Sequence, residues 1–437
     1  MRCAYIFARG DVCSKVNVAL ICILVMASGV LSEEQAGSLR AGAAKVDITP
    51  QKPVRMSGYS GRKGLSQGVH DPLSARVVAF VSGRQRLVLV STDLIGFYNG
   101  TAGHMREVLL KEFDLDPSAL FLTAIHTHAG PTPTMDKEKG HPNNVEYTRD
   151  LEENLVEAVG KALGEMEPVS IDTAAGHSSI GSNRRELVFD KSGNSSIRLG
   201  RNPYGVTDKE VLVMKVAKRD GQVVAALFDY AIHSTSLGSK NYIISGDVHG
   251  LAEQFVEKIL GHDAIAPAFA GASGNINPWA RGLEWSNTES EWIPEPVLSA
   301  TMLGEEVVRV LRDIEGGTAS GEIKTACTTL ELPGKRKGEL TIAEDCPPTS
   351  LNLIVARMGE TCFVGIGGEV LTEIGMSIKA GSPFKHTFVI THCNGAAGYL
   401  APAHLYVEGG YEIKSSPFAP PAAKMVVKRA IAMLHGL

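Results

Sequence analysis

The run Leu120-Phe121-Leu122-Thr123-Ala124-Ile125, followed by His126-Thr127-His128 and then by Ala129-Gly130-Pro131-Thr132-Pro133, decides how this sequence is read. A short, almost wholly apolar run bounded by turn residues is the pattern of a strand buried on both faces. Two prolines and a glycine then forbid its continuation. The two histidines therefore stand at the end of a buried strand, where a sheet holds side chains rigidly and loops give access. If the extended backbone continues through them, residues two apart face the same side, and both imidazoles can serve one metal, or a metal and a substrate atom. A lone His-x-His is common by chance, so the rest of the chain has to supply the context.

Working outward, apolar strand patterns occur at 43–48, 75–81 and 87–92 before this run, and at 170–175, 211–216 and 223–232 after it. Helical spacing appears at 103–113, where Met105, Val108, Leu109 and Phe113 form one stripe, and at 145–166, 252–260 and 300–311. Strand patterns return at 323–332, 350–356, 362–366 and 387–391, with a helix after Gly368 and a closing one at 423–434. No repeat or low-complexity tract interrupts this. The expected fold is α/β: one large domain with a mixed, mostly buried β-sheet covered by helices. At 437 residues, 44% hydrophobic and 21% charged, the chain has ample material for that core.

The first residues read differently. Arg2, Arg9 and Lys15 precede an uncharged apolar run over 16–31 that ends near Ala27, Ser28 and Gly29. The run is about 15 residues, short of the roughly 20 that span a bilayer, which predicts a signal peptide rather than an anchor. Residues 1–32 are thus expected to direct export to a periplasmic or extracellular location, 33–41 to form a polar linker, and 42–437 to form the domain. A net charge of −5 offers no basic surface for nucleic acid, and nothing calls for an obligate protein partner. Cys327, Cys346, Cys362 and Cys393 follow the leader, an even number compatible with one or two disulfides there, and their spacing is not that of a zinc knuckle.

Three further residues share the strand-end position. His233 closes the apolar run 225–232 and precedes Ser234-Thr235-Ser236; it reads equally as a buried histidine satisfied by backbone. Asp247, in Ile244-Ser245-Gly246-Asp247, reads first as a helix cap. Glu369 follows Gly365-Ile366-Gly367-Gly368; by itself it reads as a solvated loop acid or a helix N-terminal charge. Together, two histidines and a carboxylate would leave zinc an open position, the arrangement that brings bound water to a pKa of about 7.

In order along the chain, Ala43-Ala44-Lys45-Val46-Asp47-Ile48-Thr49, Thr123-Ala124-Ile125-His126-Thr127-His128-Ala129-Gly130-Pro131, Ala231-Ile232-His233-Ser234-Thr235-Ser236 and Ile244-Ser245-Gly246-Asp247 resemble the motifs of the neutral ceramidase family. The resemblance extends from about Ala43 to the last helix. It implies one zinc per chain held by His126, His233, Glu369 and Tyr399, the last within Ala397-Gly398-Tyr399-Leu400, with a structural Ca²⁺ or Mg²⁺ left open. It also implies that His128 sits beside the attacking water or substrate, and that Arg184 and Tyr411 contact the scissile group.

Two departures follow from the same comparison. Where the family has Gly-Asp-Val-Ser-Pro-Asn, this chain has Gly274-Asn275-Ile276-Asn277-Pro278-Trp279, so Asn277 stands in place of a serine. An amide is no covalent nucleophile, but it can hydrogen-bond substrate or an oxyanion. Members also carry a C-terminal β-sandwich, whereas this sequence ends at Leu437, so the expected architecture has no such domain. The leading expectation is hydrolysis of an N-acyl amide, ceramide or a related lipid, by activated water, with peripheral contact to a lipid surface compatible with that substrate. Ester or glycoside hydrolysis on the same scaffold and a non-catalytic exported binding module are the alternatives. The loop 284–296, with Trp285 and Trp292, could line an apolar groove or pack on its own domain.

Overall fold

The structure is a computed structural model and describes residues 38–279, 294–318, 321–339 and 346–437. The leader, residues 33–37 of the expected linker, and Trp285 and Trp292 lie outside the described residues. Residues 38–41 were expected in the linker but already belong to the fold: Leu39 is fully buried, and a strand begins at Arg40.

Eight strands form the larger sheet. Their order is Ala268–Ala270, Val223–Tyr230, Glu210–Lys218, Glu167–His177, Arg40–Asp47, Ser74–Ser82, Gln85–Thr92 and Leu120–Ala124. All neighbours are antiparallel except the two outermost pairs, which are parallel. A second sheet of four strands runs Ile323–Leu332, Thr349–Met358, Thr361–Ile366 and His386–Ile390, the last pair again parallel. The expected mixed, buried sheet is present, and the late strands add a second one stacked on it.

The period-2 alternation of strand side chains explains the layering. Val78, Phe80, Leu87, Leu89 and Phe121 leave one face of the larger sheet and meet Ile354, Ala356, Phe363 and Phe388 of the smaller. The alternate residues Val77, Ala79, Val88 and Val90 face the helices Thr101–Glu112 and Pro142–Gly164. Farther along the same sheet Val211, Val213, Ala226 and Phe228 face Asp247–Leu260 and Pro294–Asp313. On the smaller sheet Leu353, Val355, Val364 and Val389 turn outward to Thr372–Gly381 and Pro421–His435. The domain is thus four layers, helix, sheet, sheet, helix, with the central strands of both sheets buried on both faces and Ile323–Leu332 and Glu167–His177 partly exposed.

Because the ladders Gln85–Thr92 with Leu120–Ala124, Val223–Tyr230 with Ala268–Ala270, and Thr361–Ile366 with His386–Ile390 are all parallel, each pair discharges its loops at one end. His126, His233 and Glu369, described next, follow strands of those pairs. The four cysteines expected to be able to pair are all free thiols, Cys393 buried between the two sheets and Cys362 buried between the smaller sheet and its helices.

Candidate metal centre

His126 follows Leu120–Ala124 by two residues with φ of 60°, a left-handed conformation that costs a non-glycine residue energy. Its ring is fully buried and its Nδ1–H donates to the Ile95 carbonyl at 2.7 Å. A carbonyl can only accept, so this bond fixes the tautomer and leaves the Nε2 lone pair free. His233 repeats the arrangement after Val223–Tyr230. Its Nδ1–H is shared between the Ser273 and Ile276 carbonyls at 2.8 and 3.1 Å, again leaving Nε2 its lone pair, which accepts from Arg184 Nη1 at 3.2 Å. The backbone-satisfied reading of His233 therefore holds for one nitrogen and not for the other.

Glu369 begins the short strand Glu369–Val370, which pairs in parallel with Tyr399–Leu400 so that Glu369 and Tyr399 are directly opposite. It is not a solvated loop acid. Its Oε2 lies 3.7 Å from Nε2 of both His126 and His233, and that oxygen has no hydrogen-bond partner among the described residues. The Tyr399 hydroxyl hydrogen-bonds the same carboxylate and accepts from Arg184 Nη2 at 3.0 Å.

His128 brings its Nε2 to 3.3 Å from that of His126, and His126, His128 and His233 offer ring nitrogens that all lie within 4.8 Å of one another. These three rings form one candidate donor grouping, and Glu369, 3.7 Å from two of them, offers a carboxylate to the same space. The His128 ring is backed by Tyr59 and by Gly58, whose φ is +97° and whose missing Cβ would fall 2.4 Å from His128 Nδ1. Glycine is required there on both counts.

Electrostatics set the protonation states. Burial pushes the pKa of His126 down and those of His128 and His233 well down, so all three rings are neutral at pH 7, the form that ligates metal. Burial pushes the Glu369 carboxyl up, but His126, His392, Tyr399 and Arg184 outweigh it and hold the group below its ordinary value. Burial and the facing Glu369 raise the Tyr399 phenol well above its ordinary value.

The donor set fits a cation. Two neutral imidazole lone pairs and an ionised oxygen without a hydrogen-bond donor converge, and a cation among them would add to the stabilisation that Arg184 supplies from the His233 side. Ligands of a tetrahedral zinc at roughly 2.0–2.1 Å are about 3.3 Å apart, so the 3.7 Å separations need to contract by only a few tenths of an ångström.

The remaining expected residues surround this cluster. Arg184, on the strand Gly181–Phe189, is buried, with Nη1 at 3.2 Å from His233 Nε2 and Nε donating to Glu412 at 2.8 Å. Burial would lower its pKa, but Tyr399 and Glu412 keep the guanidinium charged. Asn277 lies on Ile276–Pro278, paired to Ser182, and its Oδ1 accepts from Arg184 Nη1 at 3.4 Å. The Tyr411 ring is half exposed, edge-on to Tyr399 at 5.6 Å and 5.9 Å from the Arg184 guanidinium carbon. Asp247 is not a conventional cap: its carboxylate accepts from the N–H groups of Ser236 and Leu237 and so holds the loop after His233. The sequence reading missed His392 and Glu412. Glu412 grips both Arg184 and Arg185, and its Gly-Gly-Tyr-Glu context carries no distinguishing signal.

The N-terminal region of neutral/alkaline non-lysosomal ceramidases matches residues 39–288. Neutral ceramidase B of Dictyostelium discoideum is 27% identical over 262 residues, 56% of this chain and 36% of that one. Neutral ceramidase of Pseudomonas aeruginosa is 24% identical over 255 residues, 55% of this chain and 37% of that one. The matched region thus spans little more than a third of those relatives. The crystal structure of neutral ceramidase from Pseudomonas aeruginosa superposes with a TM-score of 0.76 at 18% identity, over 92% of this chain and 75% of that one, a likeness of fold. With the family pattern running through more than half of its residues and its fold like that of the Pseudomonas protein, the chain belongs to the neutral/alkaline non-lysosomal ceramidase family.

Proposed function

We propose that the chain is an exported zinc hydrolase that cleaves an N-acyl amide, a ceramide or related lipid. The observation that carries this reading is the convergence of His126 Nε2, His233 Nε2 and Glu369 Oε2 with no hydrogen-bond donor to the carboxylate oxygen. His126, His233, Glu369 and Tyr399 would hold the zinc. Bound there, zinc supplies Lewis-acid activation of water and of the amide carbonyl.

The chain's own residues supply the rest. Arg184 presents a fixed, charged guanidinium between His233 and Tyr399, so a carbonyl oxygen entering that space gains N–H donors as it becomes an oxyanion. Asn277, by accepting from Arg184, steadies that guanidinium, and with no serine at its position it supports direct attack by water. His128 is neutral and can accept the water's proton as the C–O bond forms, then return it to the amine nitrogen as the C–N bond breaks. Tyr411, on the exposed side of Arg184, is placed to contact the substrate. Export rests on the basic-then-apolar leader; no described helix is long and apolar enough to cross a membrane.

The test is hydrolysis by purified mature protein of a fluorogenic N-acyl sphingosine, a short-chain N-acyl amide and a matching ester. The reading expects the long-chain amide to be cleaved in wild type and not in His128→Ala or Arg184→Met. Cleavage of the ester alone would reject amide chemistry, and cleavage of none would leave a binding protein.

A further inference from the structure

Four histidines, not three, meet at this centre. The fourth, His392, lies just past the strand His386–Ile390, with 1% of its surface exposed and φ of 53°. Its ring lies flat on that of His126, with centroids 3.8 Å apart and planes within 12°. The other rings in the cluster meet His126 edge-on, at 85° for His128 and 73° for His233. Thus His126 is constrained three ways: by its left-handed backbone, by the Nδ1–H bond to Ile95, and by one aromatic face pressed against it.

The segment bearing His392 is also where three ligand-bearing loops are joined. The Thr391 N–H and hydroxyl go to the Ala270 and Gly271 carbonyls, just before the Ser273 carbonyl that orients His233. The His392 N–H donates to the Gly368 carbonyl, next to Glu369. The Asn394 side chain accepts from Leu122 N–H and donates to the Leu120 carbonyl, on the strand that delivers His126. Strained backbone is retained only where the surroundings impose it, and both stacked histidines are strained. His392 Nδ1 has no partner among the described residues, so at that nitrogen nothing is gained from polarity, and the ring's face is what the site uses.

We propose that His392 is a positioning residue for the zinc ligands: its ring face fixes the plane of His126, and its backbone fixes the approach of Glu369. This rests on the zinc reading given above. The neutral imidazole pair stacks without a charge of its own, and the ring excludes water from the back of His126. The expected consequence is a metal site whose geometry, and not merely its stability, depends on an aromatic plane at position 392.

The experiment compares full-length mature wild type with His392→Phe, His392→Leu and His392→Ala. Each is stripped of metal and titrated with Zn²⁺ against a chelator and with Co²⁺ followed by its d–d absorption. Melting of the metal-free proteins controls for folding, and Leu keeps volume if Ala collapses the site. Loss of the face in Leu and Ala is expected to weaken zinc about 10- to 100-fold and to shift the Co²⁺ bands, with Phe within about threefold of wild type. Leu binding as tightly as wild type with an unchanged Co²⁺ spectrum would overturn the proposal, and Phe failing alongside Ala would overturn the stacking role. Wild type that binds neither ion fails earlier, at the functional reading, and takes this proposal with it.

Discussion

A carboxylate oxygen without a donor is the most informative atom in this molecule. Glu369→Gln keeps the shape of that side chain, replaces the charge, and places an amide among lone pairs. It is expected to lower zinc affinity by roughly 100-fold or more, since it alters a proposed ligand and outer-sphere changes alone cost 10- to 100-fold. Equilibrium dialysis with Zn²⁺ checks this. The histidines make a second prediction. His249 lies 0% exposed behind the cluster, and burial pushes its pKa down to about 4. Its folded value lies below its unfolded value of about 6.5, so the stability it contributes is present above pH 6.5 and is lost as pH falls toward 4. The shift is worth on the order of 3 kcal/mol. Urea unfolding of metal-free protein at pH 7 and at pH 4.5 should show a loss to which the other buried histidines also contribute, and His249→Gln should make it smaller. The residues proposed as ligands stand at or just past the ends of apolar runs, but for His233 and Glu369 that position alone left the plain structural reading at least as good, and it is the resemblance to the family motifs that singled them out. His392 likewise stands just past 387–391, but it sits between Thr391 and Cys393 with no second histidine or glycine turn to single it out.

At the scale of elements, the strand end at 391–394 is held by backbone bonds to several different segments and by the Thr391 and Asn394 side chains. Asn394→Ala removes the partner of the buried Leu122 N–H, while the Leu120 carbonyl keeps its bond from Arg106. A cost of about 1–3 kcal/mol for the unsatisfied N–H is expected. Thermal unfolding measures the loss, and zinc affinity should fall with it because the same strand delivers His126. The strands that the sequence made plain are the apolar ones. The hairpin Gly181–Phe189 and Ser195–Asn202 escaped the sequence reading: Leu187, Phe189 and Leu199 are exposed, and Arg184, Arg185, Glu186 and Arg198 interrupt any alternation. Its strand character comes from pairing with Ile276–Pro278, which sequence periodicity cannot report. The helix expected at 252–260 begins five residues earlier, at Asp247, because Val248 and Ala252 already share its buried face.

At the scale of the whole molecule, the two sheets meet through aromatic rings. Phe363 stacks on Phe388 at 4.9 Å and meets Phe121 edge-on at 6.4 Å, joining the smaller sheet to the strand that leads to His126. Phe363→Ala is expected to cost about 3–5 kcal/mol and to be visible as a lowered denaturant midpoint. The buried α/β character could be read from apolar runs, but their division between two sheets could not, since a run buried on both faces looks the same whether its neighbour is helix or sheet. The stacking has a functional result: it brings His126 and His233 from one sheet against Glu369 and His392 from the other.

That meeting of ligands from two sheets is the central claim, and anomalous X-ray scattering at the zinc edge tests it most directly, on crystals of the mature protein grown with Zn²⁺. The account predicts one strong peak per chain, about 2.0–2.2 Å from His126 Nε2, His233 Nε2 and Glu369 Oε2, with the Tyr399 hydroxyl as the fourth protein ligand. A peak bound elsewhere, or none at saturating zinc with these side chains ordered, would contradict it.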